Sequence, residues 1–441
     1  MTSRPRSTAR CTTERRTPHR AASALVLLLV LLLGAGCLDG VTTAPREADA
    51  GAAPSAPDLR AQVQRLLDRR ARAVREGDAR AFVRQLGRGD GLRVRQLRWF
   101  RSVTQLPWQR FDYEVLGTDW DTRPAARWGR TVLVPTVVHR TRLRGFDRLV
   151  VERDVGFAVS FDGDRPRIVS DQDADGRAML RGTPAPWDLA AVQVRRAPGV
   201  LGVFDDRTVA AAPRLMAAVS DGIAVLRRSL LFRWPGRVVV YHVRDPRVLD
   251  TVTDVPGGSI DLLGALTVPT YSRPEISPVA SVRMLVMPVS VEAGEPFLGR
   301  LVRHELAHVA LGARDDGAPT WLSEGLAEYL GASALPRAQR QIPTVAVRRA
   351  QQPQRGMPSS ASFNGPDQDW HYAVSWMALD HVAATAGEPA IWSLLEAFEA
   401  RPAGPDDEGV DRVLRAELGY DAAGLARRAA ARIRDLYGAG G

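Results

Sequence analysis

The spacing of apolar positions changes several times along the chain, and each change marks an element. Residues 21–33 are an uncharged run, apolar except for Ser23, with Gly34-Ala35-Gly36-Cys37 directly after it. Over 58–77, Leu59, Val63, Leu66, Leu67, Ala71 and Val74 recur every three or four residues, predicting an amphipathic helix with Asp58 as N-cap. Gly77-Asp78 turns the chain into a second predicted helix, 79–86. The period then drops to two. Strands are predicted over 108–116, 131–144, 149–161 and 167–170, with Val155, Phe157, Val159 and Phe161 alternating strictly.

Residues 171–186 are polar and rich in turn formers, which predicts a boundary. Beyond it come a helix over 209–229 and apolar strands over 237–243 and 282–287. Residues 339–368 are Pro- and Gln-rich and predict a loop over a cleft or a disordered insertion. Helices over 369–386, 389–400, 409–418 and 421–437, the last N-capped by Asp421, complete an α+β chain with a helical C-terminal lobe.

Candidate chemistry is concentrated at His304-Glu305-Leu306-Ala307-His308 and at Trp321-Leu322-Ser323-Glu324-Gly325-Leu326-Ala327-Glu328-Tyr329. On a helix, His304 and His308 lie one turn apart on one face and can reach a single metal ion. Glu305 can face water beside that ion as a general base. Gly312 and the turn formers after it end the helix, and Pro319 starts another that can return Glu324 as a third, anionic ligand. Two imidazoles and a carboxylate make an open, catalytic type of zinc site, holding one ion. Glu328, one turn beyond Glu324, can accept the free ring N–H of a ligand histidine. The neighbours of the motif are apolar except Arg303, which is expected on the solvent side. A hydrogen-bonded core cluster is the competing reading of such a motif.

These two segments resemble the gluzincin metallopeptidases, and W-L-S-E-G-L-A-E-Y is similar to the bacterial peptidase MA-like group and to the W-L-N-E-G-F-A segment of zinc aminopeptidases. The resemblance is strong over 296–331 and extends more thinly over 190–437. It implies Glu324 as the ligand, a zincin-like domain over 187–441, and a strand beside the active-site helix, for which 282–287 is the candidate. The 18-residue ligand spacing of the zinc aminopeptidases is not kept and no G-x-M-E-N motif is present, so the zinc-hydrolase core alone carries over. An oxyanion needs a donor. Within Trp370-His371-Tyr372-Ala373-Val374-Ser375-Trp376, comparable to the group's Y-A-x-S-W, Tyr372 is the first candidate and His371 the second. His242 and His381 are expected to be structural. The pattern over 58–175, with Arg75-Glu76-Gly77-Asp78-Ala79, resembles nuclear-transport-factor-2-like domains, in which helices pack on a curved antiparallel sheet to form a cone; no function transfers from that pattern.

Six Arg and one Glu precede the apolar run, so 1–36 has the form of a secretory signal, too short to span a bilayer as a mature helix. Small residues before Cys37 resemble a lipobox, although Gly34 stands where Leu is usual. Lipidation of Cys37 would anchor the chain on the extracytoplasmic face of the cell membrane; plain secretion is the alternative. Residues 37–57, rich in Ala and Pro, predict a flexible tether. The only other cysteine, Cys11, is removed with the signal, which excludes an intramolecular disulfide and a thiolate metal site. Signal removal lowers the formal charge from +10 to +5; all 60 basic residues are Arg, and no nucleic-acid module is evident. The expected function is a tethered zinc metallohydrolase acting on peptide or protein substrates. A non-enzymatic lipoprotein for binding or assembly, with a structural metal, is the alternative.

Overall fold

The computed structural model describes residues 56–121, 128–129, 131–162, 165–173, 175–249, 264–273, 276–404 and 407–438. The signal, Cys37 and nearly all of the tether lie outside them. Helix α1 (Ala56–Glu76) starts earlier than expected, so Asp58 sits inside its first turn instead of capping it. Its stripe of Val63, Leu66, Leu67, Ala71 and Val74 is buried together with Arg70. Asp78 caps α2 (Ala79–Val83) by accepting from Ala81 N at 2.9 Å. Helix α3 (Asp90–Val103) escaped the sequence reading because one glycine and four arginines dilute its apolar face of Leu92, Phe100 and Val103.

These helices pack on an antiparallel sheet of β1 (Trp108–Asp121), β2 (Val132–Leu143), β3 (Val151–Gly156), β4 (Ala158–Ser160) and β5 (Arg167–Ser170). The strand expected over 149–161 is two strands. Along β2, Thr136 to Thr141 pair with β3, whereas Val132 and Leu133 pair with β4, and the chain steps between them at Phe157.

The second sheet was only half legible. Its order is β6 (Val192–Ala197), β7 (Val200–Asp205), β8 (Val238–His242), β10 (Ile276–Val286) and β9 (Ala265–Arg273). The short helix α4 (Pro186–Leu189) leads into β6, and pairs β7–β8 and β8–β10 are parallel, with α5 (Ala212–Ser229) as the crossover between β7 and β8. Both faces are apolar, as expected of parallel strands covered on both sides. Val200, Phe204, Val238, Val240, Met284 and Val286 face the helical core. Leu201, Val203, Val239, Tyr241 and Leu285 join the core of the N-terminal helices and sheet. Residues 54–441 accordingly form one compact unit.

A buried ion pair pins the two sheets together. Arg283 of β10 donates through Nη2 to Asp147 Oδ1 at 2.6 Å, and Asp147 Oδ2 accepts from Leu143 N at 2.6 Å. Burial opposes the Arg283 charge, but Asp147 and Tyr241 outweigh it and raise its pKa.

Past β10 come α6 (Pro288–Ala293), α7 (Phe297–Leu311) and α8 (Thr320–Ser333). The C-terminal lobe is helical, with α10 (Gln368–Ala386), α11 (Glu388–Ala400), α12 (Val410–Leu418) and α13 (Ala422–Tyr437). Asp421 caps α13 by accepting from Gly424 N at 2.8 Å. The segment 339–368 is neither a plain loop nor disordered. It carries α9 (Thr344–Arg349) and inserts Ala346, Ala350 and Phe363 fully into the core, an apolar spacing that its Pro and Gln content concealed.

Two stability predictions follow from buried charge. Asp147→Ala strands the Arg283 guanidinium and should cost about 3–5 kcal/mol in denaturant unfolding, most of it recovered by adding Arg283→Met. His139 is buried, stacked on Tyr113 at 4.5 Å, and burial with Arg153 and Arg70 lowers its pKa well below the ordinary value. The folded protein thus refuses a proton that the unfolded chain accepts below pH ~6.5. Stability should fall on acidification below that point by up to about 1.4 kcal/mol per pH unit, and His139→Phe should flatten this limb in melts from pH 7 to 5.

Candidate metal centre

Helix α7 buries Val302 and Leu306 on one side and turns His304 and His308 to another, as the one-turn spacing requires. It ends at Gly312, whose φ of 58° suits glycine. Close approach of α8 depends on two glycines. A Cβ on Gly331 would meet Arg300 O at 3.0 Å, and one on Gly325 would meet Ser375 O of α10 at 2.7 Å. Arg303 is buried, not solvent-facing: its Nε donates to Gly331 O at 2.8 Å, satisfying a carbonyl near the C-terminal end of α8.

The structure brings His304, His308 and Glu324 together. Nε2 of His304 lies 3.3 Å from Nε2 of His308. Glu324 Oε2 lies 3.3 Å from His304 Nε2 and 3.5 Å from His308 Nε2. Ligands held at roughly 2.1 Å in a tetrahedron are separated by about 3.4 Å, so these three edges match a zinc site in size. The donor set fits as well, since two imidazole nitrogens and a carboxylate oxygen crowd one point. Glu324 Oε2 is buried and receives no well-formed hydrogen bond among the described residues. The group forms a candidate cation site.

Charge distribution favours a cation there. Burial opposes charge on His304, yet Glu324 and Glu328 outweigh it and hold its pKa well above the ordinary value. His308 is raised by Glu324 against the same burial. The carboxyls respond in kind: burial is overcome by His308 and His304 at Glu324, held far below the usual range, and by His304 and Arg300 at Glu328, lowered to about 2. Glu328 Oε1 lies 3.1 Å from His304 Nδ1, close enough to fix the ring tautomer with Nε2 as lone pair, although Nδ1 makes no well-formed hydrogen bond among the described residues.

Glu305 is buried, and one oxygen accepts from Thr267 Oγ1 at 2.6 Å. Thr267 belongs to β9, the last strand of its sheet. Strand β9 is the edge strand beside α7, while the candidate 282–287, within β10, also packs against α7 through Met284 and Val286 but lies inside the sheet between β8 and β9. No strand is predicted here from the sequence; Pro269 is a residue uncommon inside strands, and burial alternates only from Val268 to Arg273.

Tyr372, at the start of α10, has its ring 6.2 Å from that of His304. Burial, then Glu324, Glu328 and Glu305, push its phenol well up, so it keeps its proton as a donor. His371 does not share this role. Its Nδ1 lies 2.7 Å from Phe363 O, a group that only accepts, so that nitrogen donates there. His242 is structural, buried with Nδ1 2.7 Å from Val286 O, and His381 lies beside Tyr420, away from the cluster.

Helix α8 is capped from a distance. Pro319 at its N-cap has no polar side chain, and Ser360 Oγ accepts from Thr320 N at 3.0 Å while donating to Asp407 Oδ1 at 2.8 Å. No local spacing marks this contact; Thr267 is equally remote in sequence, whereas Arg300 sits four residues before His304 and was open to notice. Ser360→Ala should lower unfolding free energy by about 1 kcal/mol, the usual worth of an N-cap, and an unchanged denaturation midpoint would show that the cap is idle.

No protein-family model matches the chain. It is similar to a putative S-adenosyl-L-methionine-dependent methyltransferase of Mycobacterium ulcerans (strain Agy99), 26% identical over 263 residues, or 57% of this chain and 75% of that protein. Among solved structures it is similar to an M1 zinc metallopeptidase from Deinococcus radiodurans, with TM-score 0.32 and 13% identity over 70% of this chain and 90% of the other. A mutant two-domain M1 zinc metallopeptidase bound to L-arginine gives TM-score 0.29 and 12% identity, with the same coverage of 70% and 90%. Likeness at these levels leaves the assignment to the site itself.

Proposed function

We propose that this chain is a zinc-dependent peptidase of gluzincin type, acting on peptide or protein substrates outside the cytoplasmic membrane. The observation that carries this reading is the convergence of His304, His308 and Glu324 at tetrahedral spacing, with Glu305 adjacent and not among the three. One zinc ion bound there would act as a Lewis acid and make water acidic enough to lose a proton near neutral pH. Glu305 takes that proton and returns it to the leaving amine. Thr267 holds the Glu305 carboxylate against β9, which restricts its rotation. Tyr372 offers its O–H to the developing oxyanion. Glu328 keeps the His304 lone pair directed into the site.

The N-terminal helices and sheet, in this reading a nuclear-transport-factor-2-like layer, brace the second sheet on the side away from the site. A lipid on Cys37 tethers the enzyme to the membrane. Methyl transfer finds no comparable support. Among the named strands of the described residues, β7–β8 and β8–β10 are the parallel pairs, short of the run of parallel strands that frames a nucleotide crevice.

Metal analysis of untagged protein should find one zinc per chain. Glu305→Gln should retain that zinc and lose at least about 100-fold in hydrolysis of a peptide library. Equal turnover by mutant and wild type would falsify the mechanism. Zinc without any turnover by wild type would favour the non-enzymatic lipoprotein. Cys37→Ser should move the protein from the membrane pellet to the soluble fraction; unchanged sedimentation would rule out the lipid tether.

A further inference from the structure

Arg300 lies one turn before His304 on α7 and is the hub of a contact set that reaches the metal centre through Glu328. Its Nη2 donates to Glu328 Oε2, while the other oxygen of that carboxylate faces His304 Nδ1. Its Nη1 donates to Gln341 O at 2.9 Å. Its guanidinium lies over the Trp376 ring of α10, 4.6 Å from the centroid. The side chain is thus held by two separate parts of the chain besides its contact with Glu328.

We propose that Arg300 is a positioning residue for the metal centre, acting through Glu328 on His304. A glutamate on a helix surface has three rotatable bonds, so a single contact to an imidazole leaves it several rotamers. A guanidinium presents a planar fork of donors, and one pinned on an aromatic face can hold a carboxylate in a single orientation. With Oε2 taken by Arg300, Oε1 remains on His304 Nδ1, the ring keeps the tautomer with its proton on Nδ1, and the Nε2 lone pair stays aimed at Glu324 and His308. A lysine would supply charge but not the fork.

This inference rests on the metal site proposed above, and it is tested on zinc affinity, independently of turnover. Competition titration of the full mature chain with a chromophoric chelator gives the zinc Kd. Arg300→Met, which keeps much of the packing on Trp376, should weaken zinc by about 10–100-fold, the usual effect of losing a partner behind a ligand, and Arg300→Lys should fall between it and wild type. In a Glu328→Gln background, Arg300→Met should add less than about 2-fold, because the route through Glu328 is already broken. An equal Kd for Arg300→Met and wild type overturns the proposal. So does a full loss that persists in the Glu328→Gln background, which would mark Arg300 as a general brace of α7. Failure of wild type itself to bind zinc would instead sink the metal site.

Discussion

Carboxylates lose several kcal/mol of hydration when buried, unless positive charge or hydrogen-bond donors replace the water. Glu324, Glu328 and Glu305 are all taken into the space around α7 and α8, and much of the local architecture answers to that cost. Arg300 and the His304 ring serve Glu328, and Thr267 serves Glu305. Glu324 is left facing two imidazole nitrogens, the place where a divalent cation completes the set. The same crowding explains the glycines at 331 and 325, since an added carbon at Gly331 would part α7 from α8, which carry opposing ligands, and one at Gly325 would part α8 from α10, which carries Tyr372.

Rigidity around the cluster comes from two directions. Helix α7 packs through Val302 and Leu306 into a continuous core with α5, α8 and α10. Behind that core, the second sheet is clamped on its far face by the N-terminal helices and sheet, and the buried Asp147–Arg283 pair ties the layers at one point. A sheet covered on both faces deforms little, and β9, which carries Thr267, is part of it. The N-terminal layer, distant from the metal centre in sequence, contributes through that stiffness to where the Glu305 carboxylate lies.

The ligand set was readable from spacing because helical geometry is local. His304 and His308 share a face whatever surrounds them, and Glu328 follows Glu324 by one turn. The C-terminal helices were equally legible, with Asp421 capping α13 as its position predicted. Where the reading failed, remote contacts had overruled local signals. Arg303 was expected in solvent, yet the C-terminal end of α8 supplies an acceptor that makes its burial tolerable. Segment 339–368 has the composition of a loop, yet Phe363 and Ala346 fill spaces that only the assembled lobe creates. Strand β9 was not assigned from the sequence, and apolarity alone could not tell that β10, which also packs on α7, lies inside the sheet with β9 at its edge.

What the amino-acid order determined by itself was the inventory of donors and their angular spacing on each helix, because backbone hydrogen bonding sets 3.6 residues per turn without outside help. Which carboxylate meets which ring, which strand lies against Glu305, and which arginine stands behind Glu328 were decided only by packing. Those pairings join residues tens of positions apart, and their geometry depends on how closely two helices can approach, a quantity that the summed shapes of the surrounding side chains settle.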